Sequence, residues 1–375
     1  MAAIASAVVL VRSLARNDAS PKSATLTATP ATLTSVFHDA PGGSTIVLSG
    51  GTYGTFRGGK KQPPVSLEAA PGAHVTLAID FSPAVGVHVS GVTVTSAQIA
   101  GQSRHIRISN SRFSGATVIR ADKLVNADIV LSRNTHRDIN VCATCLEGRI
   151  DVTGQANGPS GVVIENSTFG PGGNADGVQT GGYGVQILNN EFTGIHESAG
   201  VHTDAIQLYG SRATRIEGNW IHDTSSGIMA ADGADHEVIE NNVIAPGGYP
   251  FAISIRSDNG SIIRNNTLPD GKCAWNLACG IVALGTTPGK SEGSGTSVVG
   301  NILSEVSLTG GATGEQDYNL IAHGPLAGAH DRAGVPTYTA GHQPDTLAGY
   351  TLAVGSPGRR TAQDGNDRGR RDATR

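Results

Sequence analysis

Charged residues are scarce in this sequence: Asp, Glu, Lys and Arg make up 15% of its 375 residues, against roughly 25% in an average globular domain. Hydrophobic residues reach 38%. The chain is therefore neither disordered, which needs high charge and few apolar residues, nor a coiled coil rich in Glu, Lys and Leu. Only two methionines and two tryptophans occur, which excludes a Met-rich binding surface. The formal net charge of −4 argues against nucleic acid as a partner.

Glycine, in contrast, is abundant. The 51 glycines are about twice the usual share of roughly 7%, and they show no period of three, which excludes collagen. The composition is typical of a turn-rich β protein built from small, β-branched and Asn residues.

The N-terminal segment MAAIASAVVLVRSLAR contains an apolar run at residues 2–11 that is too short to span a bilayer. We expect no stable membrane insertion. The run is similar to the hydrophobic part of a secretory signal that lacks its basic lead. We therefore expect residues 1–24 to be a signal-like or disordered segment of a secreted or cell-surface protein; a merely apolar terminus is the alternative.

The four cysteines form two close pairs, Cys142 with Cys145 and Cys273 with Cys279. A zinc site would need a second CxxC or a His pair, and a redox CxxC would need a βαβ setting; the sequence has neither. Two local loop disulfides in an oxidising compartment are the simplest interpretation, with buried free thiols as the alternative.

An internal repeat organises the middle of the chain. The segments SGVVIENSTF, YGVQILNNEF, ATRIEGNWI, HEVIENNVI and GSIIRNNTL share alternating apolar residues that end in Ile, followed two positions later by Asn or Gly. The repeat anchors, with weaker copies at both ends, are Asn110, Arg133, Asn166, Asn189, Gly218, Asn241, Asn265 and Asn301. A second strand-like unit precedes each clear copy, so each coil carries at least two short strands. Parallel rungs about 4.8 Å apart would bury Val and Ile and stack the turn asparagines in a ladder, which predicts a parallel β-helix.

A solenoid needs capped ends, because an open rung exposes core and strand edges. Residues 31–40 place Leu33, Val36, Phe37 and Ala40 on one helical face, which predicts an N-terminal capping helix. After about residue 310 the repeat is lost, and the chain finishes in a basic segment that we expect to be frayed.

The segment SVFHDAPGGSTIVLSGGTYG, the Ile/Asn coils and GSPGRRTAQDGNDRG resemble right-handed parallel β-helix proteins of the pectate-lyase-like superfamily. The opening also resembles alginate- and chondroitin-type polysaccharide lyases. The resemblance implies an all-β, single-stranded right-handed parallel β-helix over residues 25–310, followed at 311–375 by a C-terminal cap and flexible basic tail. It implies no single activity, because the superfamily includes lyases, glycosidases, epimerases and non-catalytic adhesins.

Candidate site residues are those that point outward from the second strand of each coil. If Val178, Ile206, Ile228, Ile253 and Ile281 point inward, the next residues form an outward column. That predicted column is Gln179, Gln207, Met229, Ser254 and Val282, with Tyr209 and Arg256 two positions further along their strands.

Asp176 and Asp204 stand just before this strand on adjacent coils, and His202 precedes Asp204 by two residues. Stacked carboxylates repel unless they share a proton or a cation, so the patch suggests a site. The alternative is that each Asp caps turn amides and that Gln179 and Gln207 form a ladder.

In a lyase, a positive group or Ca²⁺ would stabilise the carboxylate of a uronic acid while a base removes the adjacent proton. Arg256 is the candidate neutraliser or, as the resemblance to some β-helix lyases implies, the base. His202 and Tyr209 are rival acid or base candidates. Gln179, Gln207, Asp232 and His236 are candidate substrate-binding residues, the last two as a rim of the groove.

In a glycosidase, Asp176 and Asp204 would instead be acid and base. A uronate epimerase and a non-catalytic glycan-binding solenoid are further alternatives. Asp176, Asp204 and Asp235 are candidate Ca²⁺ ligands, since carboxylate oxygens suit this ion, although nothing has EF-hand spacing.

We expect a monomer that cleaves an extracellular polysaccharide by β-elimination, with Ca²⁺ as the one candidate cofactor. Residues 160–260 carry 12 acidic and three basic residues. This balance counts against an anionic substrate unless Ca²⁺ or the basic stretch at 104–149 offsets it.

Overall fold

The computed structural model describes residues 23–141, 146–198 and 200–371. Within these ranges the chain winds into a parallel β-helix. Successive coils add neighbouring strands to the same sheets, and the pairing along the long sheets is parallel. Apolar side chains from all the long sheets meet in one continuous core. The predicted all-β solenoid is confirmed.

One long sheet has 13 strands, ordered as they follow along the chain. They are Thr25–Ala28, Thr45–Leu48, Lys60–Ala69, Val85–Ser90, Arg104–Ser109, Ile129–Ser132, Val162–Glu165, Gln186–Leu188, Arg215–Glu217, Val238–Glu240, Ile262–Arg264, Thr296–Val299 and Gly314–Asp317.

A second sheet of 17 strands contains two series joined through Thr93–Ile99. The longer series, here called the groove sheet, is Gly51–Phe56, Val75–Phe81, Thr93–Ile99, Thr117–Arg120, Gly148–Thr153, Asp176–Thr180, Ile206–Leu208, Ile228–Ala230, Phe251–Arg256, Ile281–Gly285 and Glu305–Leu308. The shorter series is Arg112–Phe113, Thr135–His136, Thr168–Phe169, Glu191–Ile195, Trp220–Thr224 and Val243–Gly247.

Two further sheets have three strands each. They are Ser211–Arg212, Ala234–Asp235 and Asp258–Asn259, and Ile302–Leu303, Leu320–Ile321 and Arg332–Ala333. Short 3₁₀ helices lie at Ala121–Lys123, Ala274–Asn276 and Leu347–Tyr350.

The predicted capping helix is confirmed at Leu33–Asp39. Leu33, Phe37 and Ala40 are buried, and the ring of Phe37 packs edge-to-face on Phe56 with centroids 5.2 Å apart. The helix thus covers the apolar end of the first coils.

The outward column on the groove sheet is confirmed from Gln179 through Gln207, Met229 and Ser254. On the next coil the prediction is wrong by one residue. A register shift within the strand before it places Ala283, not Val282, beside Ser254.

The asparagine ladder is present. Its members follow the anchors Arg133, Asn189, Gly218, Asn241 and Asn265 by one residue, and the anchor Asn301 is itself a member. Anchors such as Asn189 and Asn241 adopt positive φ, at 53° and 57°, a turn conformation that Asn tolerates. The following side chain then points inward and is buried. The ladder consists of Asn134, Asn190, Asn219, Asn242, Asn266, Asn301 and Asn319.

Asn219 illustrates the bonding. Its Oδ1 accepts the backbone N–H of Asn190 at 2.9 Å, and its Nδ2 donates to the carbonyl of Ile187 at 2.9 Å and to Oδ1 of Asn242 at 3.0 Å. Each rung of the ladder therefore ties three coils together.

A second stack runs through the core. The rings of Phe113, His136, Phe169 and Phe192 lie parallel, with successive centroids 4.3, 4.6 and 4.7 Å apart. Burial, with a smaller effect of the Arg149 charge, lowers the pKa of His136 to about 3. This histidine is therefore neutral and serves as an aromatic ring of the core.

The second predicted disulfide joins Cys273 and Cys279, whereas the predicted pairing of Cys142 with Cys145 lies outside the described residues. The segment expected to be frayed contains Arg368, which is 1% exposed and donates to the carbonyls of Asn319 and His330. The division of the chain at residues 24 and 310 stays a prediction. Over the described ranges, no helix is both apolar enough and long enough to cross a lipid bilayer.

Candidate functional site

A cavity of about 430 Å³ opens on the outward face of the groove sheet, a size typical of ligand sites. Its floor comes from the outward column at Met229, Ser254 and Ala283. His202 and Arg256 stand beside this floor. The structure thus brings together two of the residues that the sequence singled out.

His202 is oriented by a buried carboxylate. Its Nδ1 lies 3.3 Å from Oδ2 of Asp204, and the imidazole is 51% exposed whereas the carboxylate is 1% exposed. Asp204 is held in turn by the hydroxyl of Ser226, which donates to Oδ1. The contact with Asp204 raises the pKa of His202 to about 9. Since Nδ1 faces Asp204, Nε2 is left for a ligand in the cavity.

Asp176 lies under the surface, one coil before Asp204. It is 2% exposed, and its Oδ1 accepts the backbone N–H of Asp204 at 2.7 Å. Burial, followed by the nearby charge of Asp204, raises the pKa of Asp176 to about 8. Asp176 therefore caps the turn of the next coil in its neutral form, as the alternative interpretation of the sequence had it.

The buried Asp176 makes stability depend on pH. Between its ordinary pKa of 3.8 and about 8 the folded protein holds a proton that the unfolded chain releases, so this carboxyl lowers stability as pH rises through that window. Asp176→Asn keeps the oxygen acceptor and cannot ionise. We expect the variant to be more stable than the parent at pH 8, by on the order of a few kcal/mol, and nearly equal to it at pH 4.

Urea denaturation of parent and Asp176→Asn at both pH values measures this difference. Asp122→Asn, which changes an exposed carboxyl, is the matched control and should leave both curves unchanged. A stability difference that is the same at pH 4 and pH 8 would contradict proton uptake by Asp176.

Arg256 is the cation of the cavity. It is exposed at the end of its strand, and no acidic side chain of the described ranges forms an ion pair with it. Arg212, by comparison, is paired with Asp235, with 3.2 Å between Nε and Oδ2. The guanidinium of Arg256 is therefore available to an anionic ligand.

Gln179 and Gln207 lie further along the outward column and bond to each other, with 2.7 Å from Nε2 to Oε1. Nε2 of Gln179 also donates to Glu147 at 3.2 Å. Both amides are half-buried. They form the predicted ladder on the wall that continues from the cavity.

The remaining predicted residues do not line the cavity. Tyr209 is 60% exposed and lies outside it. Nδ1 of His236 lies 2.5 Å from Oδ1 of Asp235. Both residues lie in a turn beyond the end of the groove-sheet strands that is opposite to Asp204. The backbone carbonyl of Asp232 accepts a hydrogen bond from Nζ of Lys290.

The predicted calcium ligands are not gathered either. Across the described ranges no three His, Cys, Asp or Glu side chains are close enough to hold a metal ion. Asp235 is engaged by Arg212 and Asn259, while Asp176 and Asp204 are buried and bonded to the protein. These three residues therefore do not fit a Ca²⁺ site.

An aromatic group that the sequence analysis missed borders the cavity. Trp275 is 64% exposed, with its ring centroid 5.3 Å from that of Tyr249 and 6.1 Å from that of Phe251. Tyr249 also stacks on His202 at 5.9 Å. The one available signal was the motif CAWNLAC, in which two cysteines bracket a tryptophan.

Comparison with solved structures finds the same fold. The PL6 family alginate lyase AlyGC superposes with a TM-score of 0.57 and 14% identity, over 94% of this chain and 59% of that one. A PL6 family polysaccharide lyase from Pseudopedobacter saltans gives 0.50 and 13%, over 79% and 92%. This chain therefore spans a little over half the length of AlyGC. At sequence identities this low, the superpositions show a shared fold and nothing further.

Comparison with curated protein sequences gives no significant match. Residues 84–301, more than half of the chain, match the sequence profile of the family described as right handed beta helix region. The handedness expected from the sequence is thereby confirmed, and the chain belongs to the right-handed β-helix family.

Proposed function

We propose that this protein is a polysaccharide lyase that cleaves a uronic acid polymer by β-elimination. The observation that carries the proposal is the presence, in one cavity, of a histidine oriented by a buried carboxylate and of the Arg256 guanidinium, which forms no ion pair with an acidic residue of the described ranges. The fold shared with an alginate lyase and with a second polysaccharide lyase supports it. Secretion and a monomeric state remain predictions that accompany it.

Each residue has a defined task in this reaction. Arg256 pairs with the carboxylate of the uronate and stabilises the negative charge that develops there when the C5 proton leaves. Arginine keeps its own proton, so we assign proton abstraction to His202. Its Nε2 accepts the C5 proton, the electron pair forms the C4=C5 double bond, and the bond from C4 to the glycosidic oxygen breaks. The imidazolium then returns the proton to the departing oxygen.

Hydrolysis by Asp176 and Asp204 is disfavoured by their surroundings. A glycosidase needs two carboxyl groups that reach the glycosidic bond and a water molecule. These two are 2% and 0% exposed, and Oδ1 of each accepts a hydrogen bond from the protein. They support the histidine instead of facing a substrate.

The test is ultraviolet absorbance during incubation with alginate, polygalacturonate and chondroitin sulfate, with and without Ca²⁺. We expect a rising signal from the unsaturated uronate product on at least one polymer. New reducing ends without absorbance would replace elimination by hydrolysis. If neither the absorbance nor the number of reducing ends changes, the lyase proposal is contradicted. The remaining alternatives are then epimerisation and binding without catalysis.

A further inference from the structure

The loop closed by Cys273 and Cys279 is fixed at the edge of the cavity. The disulfide closes a turn of five residues, and the backbone N–H of Cys273 donates across it to Leu277 at 3.0 Å. The backbone N–H of Ala274 donates to the carbonyl of Gly248 at 2.8 Å. The loop is thus tied both to itself and to the segment that carries Tyr249.

Trp275 stands at the tip of this loop. Its φ of +57° lies in the left-handed region, which is uncommon for a large residue, and 64% of the side chain is in solvent. Exposure of so much apolar surface contributes nothing to folding. A strained, cross-linked loop that presents an indole to solvent indicates a binding role.

The neighbouring rings extend this indole into a platform. The ring centroids of Tyr249 and Phe251 lie 5.3 and 6.1 Å from that of Trp275, so the three rings form one platform. The hydroxyl of Tyr249 donates to the carboxylate of Glu197 at 2.9 Å, which fixes the position of the phenol ring. Since Tyr249 also stacks on His202, the platform is continuous with the reacting groups.

We propose that Trp275, with Tyr249 and Phe251, is a stacking subsite for one pyranose ring of a uronate oligosaccharide, next to the ring held at His202 and Arg256. The axial C–H groups of a pyranose form an apolar face that packs on an aromatic ring. The carboxylates at the edges of the sugar suit the guanidinium of Arg256 in the same cavity. The identity of the sugar rests on the proposed function; the subsite itself rests on the geometry of the loop.

The experiment measures binding without turnover. In the His202→Ala background, isothermal titration calorimetry gives the Kd of hexasaccharides from alginate, polygalacturonate and chondroitin. For the hexasaccharide that binds best, we expect Trp275→Ala to raise Kd about tenfold or more and Trp275→Tyr to stay within about threefold. Trp220→Phe is the matched control, because Trp220 stacks on His222 outside the cavity, and it should leave Kd unchanged.

Two further measurements use the same proteins. With Trp220 replaced by Phe, Trp275 is the single tryptophan of the chain, and its fluorescence should change as the hexasaccharide is added. Reduction with dithiothreitol should weaken binding while the far-ultraviolet circular dichroism stays the same. Equal Kd values for Trp275→Ala and its parent, or no binding of any hexasaccharide, would overturn the subsite.

Failure of the subsite and failure of the proposed function give different results. If the protein with His202 intact cleaves none of the polymers while binding still depends on Trp275, the subsite stands and the lyase assignment fails. If a polymer is cleaved but Trp275→Ala binds it as the parent does, the lyase assignment stands and the subsite fails.

Discussion

Replacement of His202 by Ala is expected to lower kcat/KM on the cleaved polymer by about 10²- to 10⁴-fold, the usual contribution of a positioned acid–base group. The free energy of unfolding should fall as well, because the substitution leaves the buried carboxylate of Asp204 without its cationic partner. Initial rates from the absorbance assay and a thermal melt measure the two effects. His38→Ala, on the exposed side of the capping helix, is the matched control and should retain the full rate.

The pH profile separates a base from an acid at this position. A pKa of about 9 for His202 means that the imidazole is mostly protonated at pH 7. A base must be unprotonated, so the rate should rise as pH increases through about 9. Asp204→Asn removes the partner that raises this pKa and should move the rising limb to lower pH. A rate that falls on passing pH 9 would show that protonated His202 is required and that the base is another group.

Asn219→Ala is expected to destabilise the protein by about 3–5 kcal/mol. The side chain is fully buried, and its removal leaves the backbone N–H of Asn190 and the carbonyl of Ile187 without their partners. An unsatisfied buried polar group costs about 1–3 kcal/mol, and the hole left by the amide adds to this. Chemical denaturation followed by circular dichroism measures the loss.

Asn157→Ala is the control for the ladder, because Asn157 is exposed in a bend of the chain, and the substitution should change the free energy of unfolding by less than about 0.5 kcal/mol. If both substitutions lower the free energy of unfolding by the same amount, a ladder asparagine contributes no more to stability than a surface asparagine. The repeated Asn would then reflect turn geometry alone.

The fold was readable from the sequence because its determinants are local and repeated. Alternating apolar residues before each turn define the strands, and the helical face of Leu33 and Phe37 defines the cap. Except at Asn301, the ladder was placed one residue early, since a turn Asn such as Asn189 and the buried Asn190 behind it look alike in a sequence. Only the left-handed backbone at the first of them decides which side chain faces the core.

The candidate site could be predicted only where it follows the strand columns. Arg256 belongs to such a column, whereas His202 was found because it lies two residues before Asp204, just ahead of the strand. Both lie in the cavity. The depth of Asp176 could not be foreseen, because it is set by the turns of neighbouring coils that cover it. Trp275 and Tyr249 were missed for a related reason: they lie between β-strands, in segments whose path depends on contacts with distant parts of the chain.

The regular ladder separates the architecture of this protein from its chemistry. Successive ladder residues from Asn190 to Asn301 are 29, 23, 24 and 35 positions apart, yet each makes the same bonds to the next. The interval of 29 contains His202, and the interval of 35 contains the loop of Trp275. Insertions of different length are thus accepted between rungs whose bonding does not change. New specificities can arise in this scaffold by lengthening one coil, without redesign of the core that carries it.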